Sequence, residues 1–146
     1  MTKYPILAID YGTKHFGTAI SDYKGIIASP LEVISITKNQ SIYNVIDRII
    51  QICKEYKIQT ILLGMPQIFS ETQELTRRKI NNFKKKLSEN IDIPIIICDE
   101  SFSTTSAQNM LTSSGQSTRK SRGKIDMVSA AYFLQEFLNS SNKNND

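Results

Sequence analysis

Four acidic residues lie at the ends of apolar segments that are far apart along this chain of 146 residues. Asp10 closes the first apolar run, Asp99 and Glu100 follow the run IPIIIC, and Asp126 is expected in the first turn of the last helix. Ligand sites in open sheets gather outside the carboxyl ends of strands, where carboxylates from separate segments can meet. If these acids converge, their oxygens suit Mg²⁺ or Mn²⁺, because a divalent cation relieves the repulsion among crowded carboxylates.

Such a cluster predicts phosphodiester hydrolysis. Two divalent ions about 3.5–4 Å apart can hold the attacking water and the leaving oxygen of the reaction. We therefore expect Asp10, Glu100 and Asp126 to be catalytic metal ligands. Asp99 is an alternative or additional ligand, because the sequence does not show which of the adjacent acids points inward. Each acid also has an ordinary interpretation, as a turn acceptor, a surface acid or an anion in the first turn of a helix.

Basic residues form two groups in a chain whose formal net charge is +4. Groups of this kind predict contact with the phosphate backbone of a nucleic acid, although a solvated helix face and a solvated loop would look the same. The first group lies within ten positions and the second within six: Arg77, Arg78, Lys79, Lys84, Lys85 and Lys86, then Arg119, Lys120, Arg122 and Lys124.

Other chemistries and compartments have little support. His15 is the only histidine, Gly12 and Gly17 do not form a dinucleotide fingerprint, and no P-loop is present. Cys53 and Cys98 have no metal-ligand spacing and are expected to be reduced core residues. No apolar run approaches the ~20 residues that cross a bilayer, and no secretory signal is recognised. We expect a cytoplasmic protein that does not enter a membrane.

Five strands are predicted to position the acids. Short connections between the first three strands predict an antiparallel meander, and the last two are continuous apolar runs that follow helical segments. The fifth strand is expected to be buried on both faces. The predicted ranges are Tyr4–Tyr11, His15–Asp22, Leu31–Ile36, Thr60–Leu63 and Ile93–Cys98.

Apolar residues at helical spacing predict helices between and after these strands. The main helices are expected at about Ser41–Tyr56, Thr72–Ser88 and Lys124–Leu138. The second should bury Leu75, Ile80, Phe83 and Leu87. Before the last helix we expect a short helix that buries Ala107, Met110 and Leu111 after a cap at Ser103 or Thr104, then a basic loop over Thr112–Gly123.

These elements predict the α/β class, with a five-stranded mixed sheet flanked by helices. Residues 1–139 are expected to form a single domain, and residues 140–146 a flexible C-terminal tail, because SSNKNND has nothing to bury.

Four segments resemble, in order, the motifs of the YqgF/RuvX family of small bacterial proteins: ILAIDYGTKHFGTAISD, LLGMP, PIIICDESFST and GKIDMVSAAYFLQEFL. The resemblance spans about Tyr4–Leu138. It implies a ribonuclease H-like fold and a nuclease that matures the 5′ end of 16S ribosomal RNA in the cytoplasm. Pre-rRNA and ribosome precursors would then be its partners. The family has also been described as Holliday junction resolvases, so DNA junctions remain an alternative substrate.

Carried over residue by residue, the resemblance places the family's acids on Asp10, the pair Asp99 and Glu100, and Asp126. Its first turn falls on Gly12, Thr13, Lys14 and Gly17, and its Gly-x-Pro on Gly64 and Pro66. The residues expected to contact nucleic acid are therefore Gly12, Thr13, Lys14, Arg77, Arg78, Lys84, Arg119, Lys120, Arg122 and Lys124. Two departures are Ser101, where the family usually has Arg, and QIFSETQE, which lacks the family's Gly after the Gly-x-Pro.

Three alternatives stay open at this point. A junction resolvase cuts two strands symmetrically and needs a dimer, whereas we expect a monomer or weak homodimer. The second alternative is a non-catalytic RNA-binding ribosome-assembly factor. Ser101 favours it, because it stands where the family usually has Arg. The third is a phosphate-binding ATPase lobe, because DYGT resembles its phosphate turn; such proteins need two lobes, and this chain has residues for one.

Overall fold

The structure is a computed structural model that describes residues 2–12, 14–65, 71–99 and 118–144. Within these ranges, the structure gives the backbone but does not describe the side chains of residues 65, 71–73, 99, 118–127 and 142–144. The described strands are β1 (Ile6–Asp10), β2 (His15–Ser21), β3 (Ala28–Ser35), β4 (Thr60–Met65) and β5 (Ile95–Asp99). The described helices are α1 (Ile42–Glu55), α2 (Glu71–Ser88) and α3 (Thr118–Asn144).

The five described strands form one mixed sheet in the order β3-β2-β1-β4-β5. β1 pairs antiparallel with β2, and β2 antiparallel with β3, so the predicted meander is confirmed. β4 and β5 add to the other side of β1 as parallel strands. Parallel neighbours require a crossover, and α1 and α2 lie in the connections to β4 and β5. The predicted α/β class and mixed five-stranded sheet are therefore confirmed.

Helices cover both faces of the sheet. They are needed on both, because successive side chains of a strand point to opposite faces and the apolar ones on each face must be buried. On one face, Leu7 and Ile9 pack with buried residues of α1 and α2, including Ile49 and Phe83. On the other, Ile6, Ala8 and Leu62 pack against the Ala130, Phe133, Leu134 and Leu138 positions of α3. The side of the sheet that a β1 residue faces is therefore set by whether its number is odd or even.

The predicted first helix is confirmed, and its start has a physical cause. Ser41 Oγ accepts a hydrogen bond from the Tyr43 N–H at 3.3 Å, and Asn44 Oδ1 accepts one from the Ser41 N–H at 2.9 Å. These reciprocal bonds satisfy donors that the first turn leaves unpaired. Val45, Ile46, Ile49 and Ile52 then lie on the buried side of α1.

Two burial predictions are wrong. β5 is at the edge of the sheet, and the Ile95–Cys98 side chains are half-buried rather than covered on both faces. In α2, Ile80, Phe83 and Leu87 are buried as predicted, but Leu75 is 54% exposed. Leu75 lies five residues before Ile80, which rotates it about 140° away from the buried side of the helix.

The last helix is longer than predicted at both ends. α3 begins at Thr118, so positions 118–123 of the predicted basic loop are helical. It ends at Asn144, and residues 140–144 of the predicted tail continue it. The division into a domain over 1–139 and a flexible tail stays a prediction. The short helix expected near Ala107, and residues 112–117 of the loop, lie outside the described residues.

Cys53 and Cys98 are not joined by a disulfide. Cys53 is on the buried side of α1, and burial raises the pKa of its thiol to about 11, which keeps the thiol neutral and unreactive near pH 7. Cys98 is half-buried in β5. No helix in the described ranges is both long and apolar enough to cross a membrane.

Candidate active site

Asp10 is the last residue of β1 and is half-buried at the carboxyl edge of the sheet. It is in register with Gly17 on one side and with Gly64 on the other. Gly64 is in turn in register with Cys98. The row Asp10–Gly64–Cys98 belongs to the face covered by α3, because Ala8, Leu62 and Ile96, two residues earlier in each strand, pack in that core. Neither glycine contributes a side chain beside the Asp10 carboxylate.

Asp99 ends β5 at the same edge of the sheet. It is in register with Met65, one position beyond the row that contains Asp10. β1 and β5 are separated by β4, so their backbones are about 10 Å apart across the two strand spacings. The structure therefore brings the Asp10 and Asp99 backbones to one edge. Glu100 lies outside the described residues, as does the side chain of Asp99.

Asp126 is in α3, but not in its first turn as predicted. It comes eight residues after Thr118, where the helix begins. The physical consequence is that the positive end of the helix dipole, which acts within the first turn, no longer explains an acid at this position. Asp126 lies four residues, or about one turn, before the buried Ala130. Its side chain is outside the description.

Divalent ions prefer the oxygen ligands that carboxylates supply, so the predicted residue types fit Mg²⁺ or Mn²⁺. Among the described side chains, no group of three His, Cys, Asp or Glu residues is placed to hold a metal. The described side chains include that of Asp10 but not those of Asp99, Glu100 or Asp126. The predicted ligand set therefore stays a prediction.

The turn after Asp10 is compact and depends on Gly12. A Cβ at position 12 would collide with the main-chain carbonyl oxygen of His15. The His15 Nδ1 and the Ser35 Oγ are hydrogen-bonded at 2.9 Å, and the Ile36 N–H donates to the Lys14 carbonyl oxygen at 2.8 Å. These bonds hold the turn, with its exposed Lys14, beside the end of β3. Thr13 lies outside the described residues.

Replacing Gly12 by Ala is expected to destabilise the protein by about 1–3 kcal/mol, because the new methyl group meets main chain that cannot move aside without distorting the turn. Urea unfolding measures the change in free energy. Lys14→Ala, an exposed change in the same turn, is the control and should stay within about 0.5 kcal/mol of wild type. Equal stability of the two variants would contradict the steric argument.

The first basic group lies on α2, as predicted. Arg77, Arg78, Lys79 and Lys85 are exposed, and Lys84 and Lys86 are half-buried. Within the described residues the ion pair is Arg48 with Glu32, at 2.6 Å, and none of these α2 cations joins it. Within the described part of the chain, no ion pair neutralises these cations, so their charges are available to phosphates. The second group, Arg119, Lys120, Arg122 and Lys124, is on helix α3 rather than in a loop, and its side chains are outside the description.

An aromatic cluster that was not predicted from the sequence supports the Asp10 end of β1. Tyr11 contacts Phe16 edge-on at 5.1 Å between ring centroids, and Phe83 lies 5.5 Å from Tyr11 and 5.6 Å from Phe16. Burial raises the pKa of Tyr11, which favours its neutral form. Three aromatic residues in different elements share no spacing pattern, so only the tertiary structure shows that they meet.

A cavity of about 530 Å³ lies at the opposite edge of the sheet. It is lined by residues at the amino ends of β4 and β5, among them Thr60, Pro94 and Ile96. Asp10 and Asp99 are at the carboxyl ends of β1 and β5, on the other edge of the sheet, so this cavity does not belong to the candidate site.

Comparison with known proteins gives consistent results. The family model described as "RuvX: Holliday junction resolvase" matches residues 4–140. A protein of Desulforamulus reducens named "Putative pre-16S rRNA nuclease" is 38% identical over 138 residues, covering 94% of this chain and 98% of that protein. A protein of Geobacillus kaustophilus with the same name is 36% identical over 134 residues, covering 92% and 96%.

Solved structures with the same fold are more distant in sequence. Thermus thermophilus RuvC in complex with a Holliday junction substrate superposes with a TM-score of 0.61 at 11% identity, covering 93% of this chain and 94% of that chain. The fowlpox virus resolvase with its Holliday junction DNA has a TM-score of 0.56 at 16% identity, covering 94% and 98%. These similarities confirm the ribonuclease H-like fold that the sequence motifs imply. With a family model that spans most of its length and relatives that match it almost end to end, this chain belongs to the RuvX family.

Proposed function

We propose that this protein is a cytoplasmic nuclease that hydrolyses a phosphodiester bond in pre-16S rRNA, with Mg²⁺ or Mn²⁺ held by Asp10, Glu100 and Asp126. The observation that carries the proposal is the position of Asp10. It ends the central strand of a ribonuclease H-like sheet, between two glycine neighbours, on the face that α3 covers. The proposed substrate class comes from the relatives in Desulforamulus reducens and Geobacillus kaustophilus, which are named as pre-16S rRNA nucleases.

The orientation of α3 supports a role for Asp126. Gln135 accepts a hydrogen bond from the Ala28 N–H and donates one to the Ile26 carbonyl oxygen, both at 2.9 Å. Ala28 is in register with Ser21, and the adjacent Ile20 is in register with Leu7 near the amino end of β1. Position 126 precedes Gln135 by nine residues, or about 14 Å of helix, which matches the ~13 Å length of β1. A helix antiparallel to β1 would bring position 126 to the Asp10 edge.

The strand pleat gives a reason to prefer Glu100 over Asp99 as the ligand. Side chains alternate between faces along a strand, so ligands that act with Asp10 should come from the face of Cys98 and Ile96. Continuing by two residues from Cys98 gives position 100. We therefore propose Glu100 as the partner of Asp10 and assign Asp99 a supporting role at the same edge.

The roles of the chain's own residues follow from this arrangement. Bound cations would supply a Lewis acid that activates water and offsets charge on the phosphate. The three carboxylates would hold those ions and fix their positions on rigid elements. The Gly12 turn and Lys14 would approach the phosphate backbone, with the α2 cations along its path. Ser101 cannot replace the bidentate phosphate contact of an arginine, and Arg119, Lys120 or Arg122 from α3 would have to supply it.

Metal removal and substitution of Asp126 test the proposal together. Purified wild-type protein should cleave a pre-16S rRNA fragment with Mn²⁺ or Mg²⁺, lose activity in EDTA and recover it when metal is added back. Asp126→Asn should lower the rate at least about a hundredfold, since even loss of a residue that only supports a metal ligand costs 10–100-fold. Glu136→Gln, an exposed acid on the same helix, is the matched control. Cleavage that survives EDTA or persists in Asp126→Asn would contradict the proposal.

DNA junctions are the second candidate substrate, because the matching family model carries the description of a Holliday junction resolvase. A four-way DNA junction in the same assay separates the two. Faster cleavage of the rRNA fragment supports the proposal, while preferential, symmetric junction cleavage by a stable dimer in light scattering would favour the resolvase. Binding of rRNA without cleavage under any metal condition would instead indicate a non-catalytic assembly factor.

A further inference from the structure

Tyr43, in the first turn of α1, is an exposed aromatic residue beside the basic helix α2. Its side chain is 54% exposed. The ammonium nitrogen of Lys86 lies 5.4 Å from the centre of its ring, within the range of a cation–π contact. The aromatic ring of one helix and a cation of the other therefore form one surface, and much of the ring is open to solvent.

Lys86 belongs to a distinct stripe of α2. Residues that follow one another at intervals of 4, 3 and 4 positions share one side of a helix. This spacing is found in the series Leu75, Lys79, Asn82 and Lys86. All four flank the buried side on the edge nearest Tyr43, and Leu75 is 54% exposed. Arg77 and Lys84, a pair seven residues apart, lie on the opposite flank of the buried residues Ile80, Phe83 and Leu87. Lys79 and Lys86 therefore share one flank of α2, and Arg77 and Lys84 the other. Among the described residues, the cation–π contact is on the flank of Lys86.

Tyr43 is also at the same edge of the sheet as Asp10. Ser35, at the end of β3, is in register with His15, and the Ile36 N–H bonds to the Lys14 carbonyl oxygen. The connection from Ile36 to the Ser41 cap is short, so α1 begins beside the turn that follows Asp10. A chain that passes over this edge could contact Tyr43 and reach the candidate active site.

We propose that Tyr43, Lys79 and Lys86 bind an unpaired segment of the nucleic-acid substrate, with a base stacked on the Tyr43 ring and phosphates beside the two lysines. This inference rests on the proposed action on nucleic acid and adds the class of strand. Exposed aromatic rings interleaved with cations are suited to single strands, because unpaired bases offer their faces for stacking. A continuous duplex keeps its bases stacked on each other and offers this surface only phosphates.

A fluorescence experiment tests stacking directly. The chain has no tryptophan, so Tyr43→Trp introduces a single reporter. Adding a single-stranded RNA should give a saturable loss of tryptophan emission, and an RNA duplex of the same length should give much less. Tyr23→Trp is the control: Tyr23 is 75% exposed, but lies in the β2–β3 turn at the opposite edge of the sheet. Unchanged emission of the Tyr43→Trp protein while fluorescence anisotropy shows bound RNA would overturn the proposal.

Affinity measurements provide a second test. Tyr43→Ala should weaken binding of the single strand about fivefold or more, and Tyr43→Phe should restore it, because stacking needs the ring and not the hydroxyl. Lys86→Ala should weaken binding more than Lys84→Ala, which removes the same charge from the other flank. Equal losses from the two lysine variants, or wild-type affinity in Tyr43→Ala, would refute the assignment.

The cleavage assay separates this inference from the proposed function. If Tyr43→Trp is quenched but wild type does not cleave under any metal condition, the single-strand site stands and the catalytic proposal fails. If wild type cleaves with metal and Tyr43→Ala binds and cleaves like wild type, the catalytic proposal stands and this site is wrong.

Discussion

Asp10→Asn is expected to lower the rate of metal-dependent cleavage at least about a hundredfold, with little change in nucleic-acid affinity. Asparagine keeps the size of the side chain and one carbonyl oxygen but removes the negative charge that holds a divalent ion. Asp10 lies at the end of the central strand between Gly17 and Gly64, and neither of these neighbours has a side chain that could take over this role. The rate should be measured in single turnover at saturating enzyme, which reports the chemical step.

Asp92→Asn is the matched control, because Asp92 is an exposed acid at the amino edge of the sheet. Circular dichroism and the thermal midpoint would verify that both variants are folded. The basic residues of α2 are unchanged in both, so anisotropy should show similar RNA binding. Near wild-type cleavage by Asp10→Asn would contradict the proposed mechanism, which depends on the Asp10 carboxylate. Equal losses in Asp10→Asn and Asp92→Asn would point to a general charge effect.

The strands could be predicted well from the sequence because apolar residues alternate in LEVISI and form short continuous runs in TILL and IPIIIC, each run bounded by polar residues or glycine. All five were placed, and differences are confined to their ends, such as β1 at Ile6–Asp10 within the predicted Tyr4–Tyr11. What could not be predicted is which strand lies at an edge. The run IPIIIC is apolar because its residues pack in the cores on both faces of the sheet, yet among the described strands β5 pairs with β4 alone.

Errors in the helices have local causes. The segment TSSGQSTRKSRG contains Gly115 and Gly123 and no apolar period, so it predicts a loop. In the structure α3 already includes Gly123, at an intrinsic cost of about 1 kcal/mol relative to alanine. Packing of Phe133 and Leu134 against the sheet stabilises the helix as a whole, and this tertiary contribution is not encoded in the local pattern.

The candidate site was partly predictable for a related reason. An acid directly after an apolar run indicates a carboxylate at a strand end, and Asp10 and Asp99 are both found there. The register that puts Asp10 level with Gly64 and Cys98 depends on pairing between strands separated by a helix. Likewise, Tyr43 and Lys86 are distant in sequence and meet only because α1 and α2 share one face of the sheet.

Phe83→Ala is expected to destabilise the protein by about 3–5 kcal/mol, the range for removing a large aromatic residue from a core. Phe83 is 2% exposed, and its ring contacts the rings of both Tyr11 and Phe16. Removing it leaves a cavity and also ends two aromatic contacts beside the Asp10 strand end. Among the described residues of α2, the buried side chains are Ile80, Phe83 and Leu87, so Phe83 is one of three that hold this helix on the sheet.

Urea unfolding, with the slope checked for a two-state transition, gives the free-energy change. Leu75→Ala is the matched control: it is a large-to-small change on the same helix at a 54% exposed position, and should stay within about 0.5 kcal/mol of wild type. Phe83→Leu should lose less than Phe83→Ala, since it leaves a smaller cavity. A similar loss in Leu75→Ala and Phe83→Ala would mean that both faces of α2 contribute equally, and would contradict the helix orientation on which the Tyr43–Lys86 surface also depends.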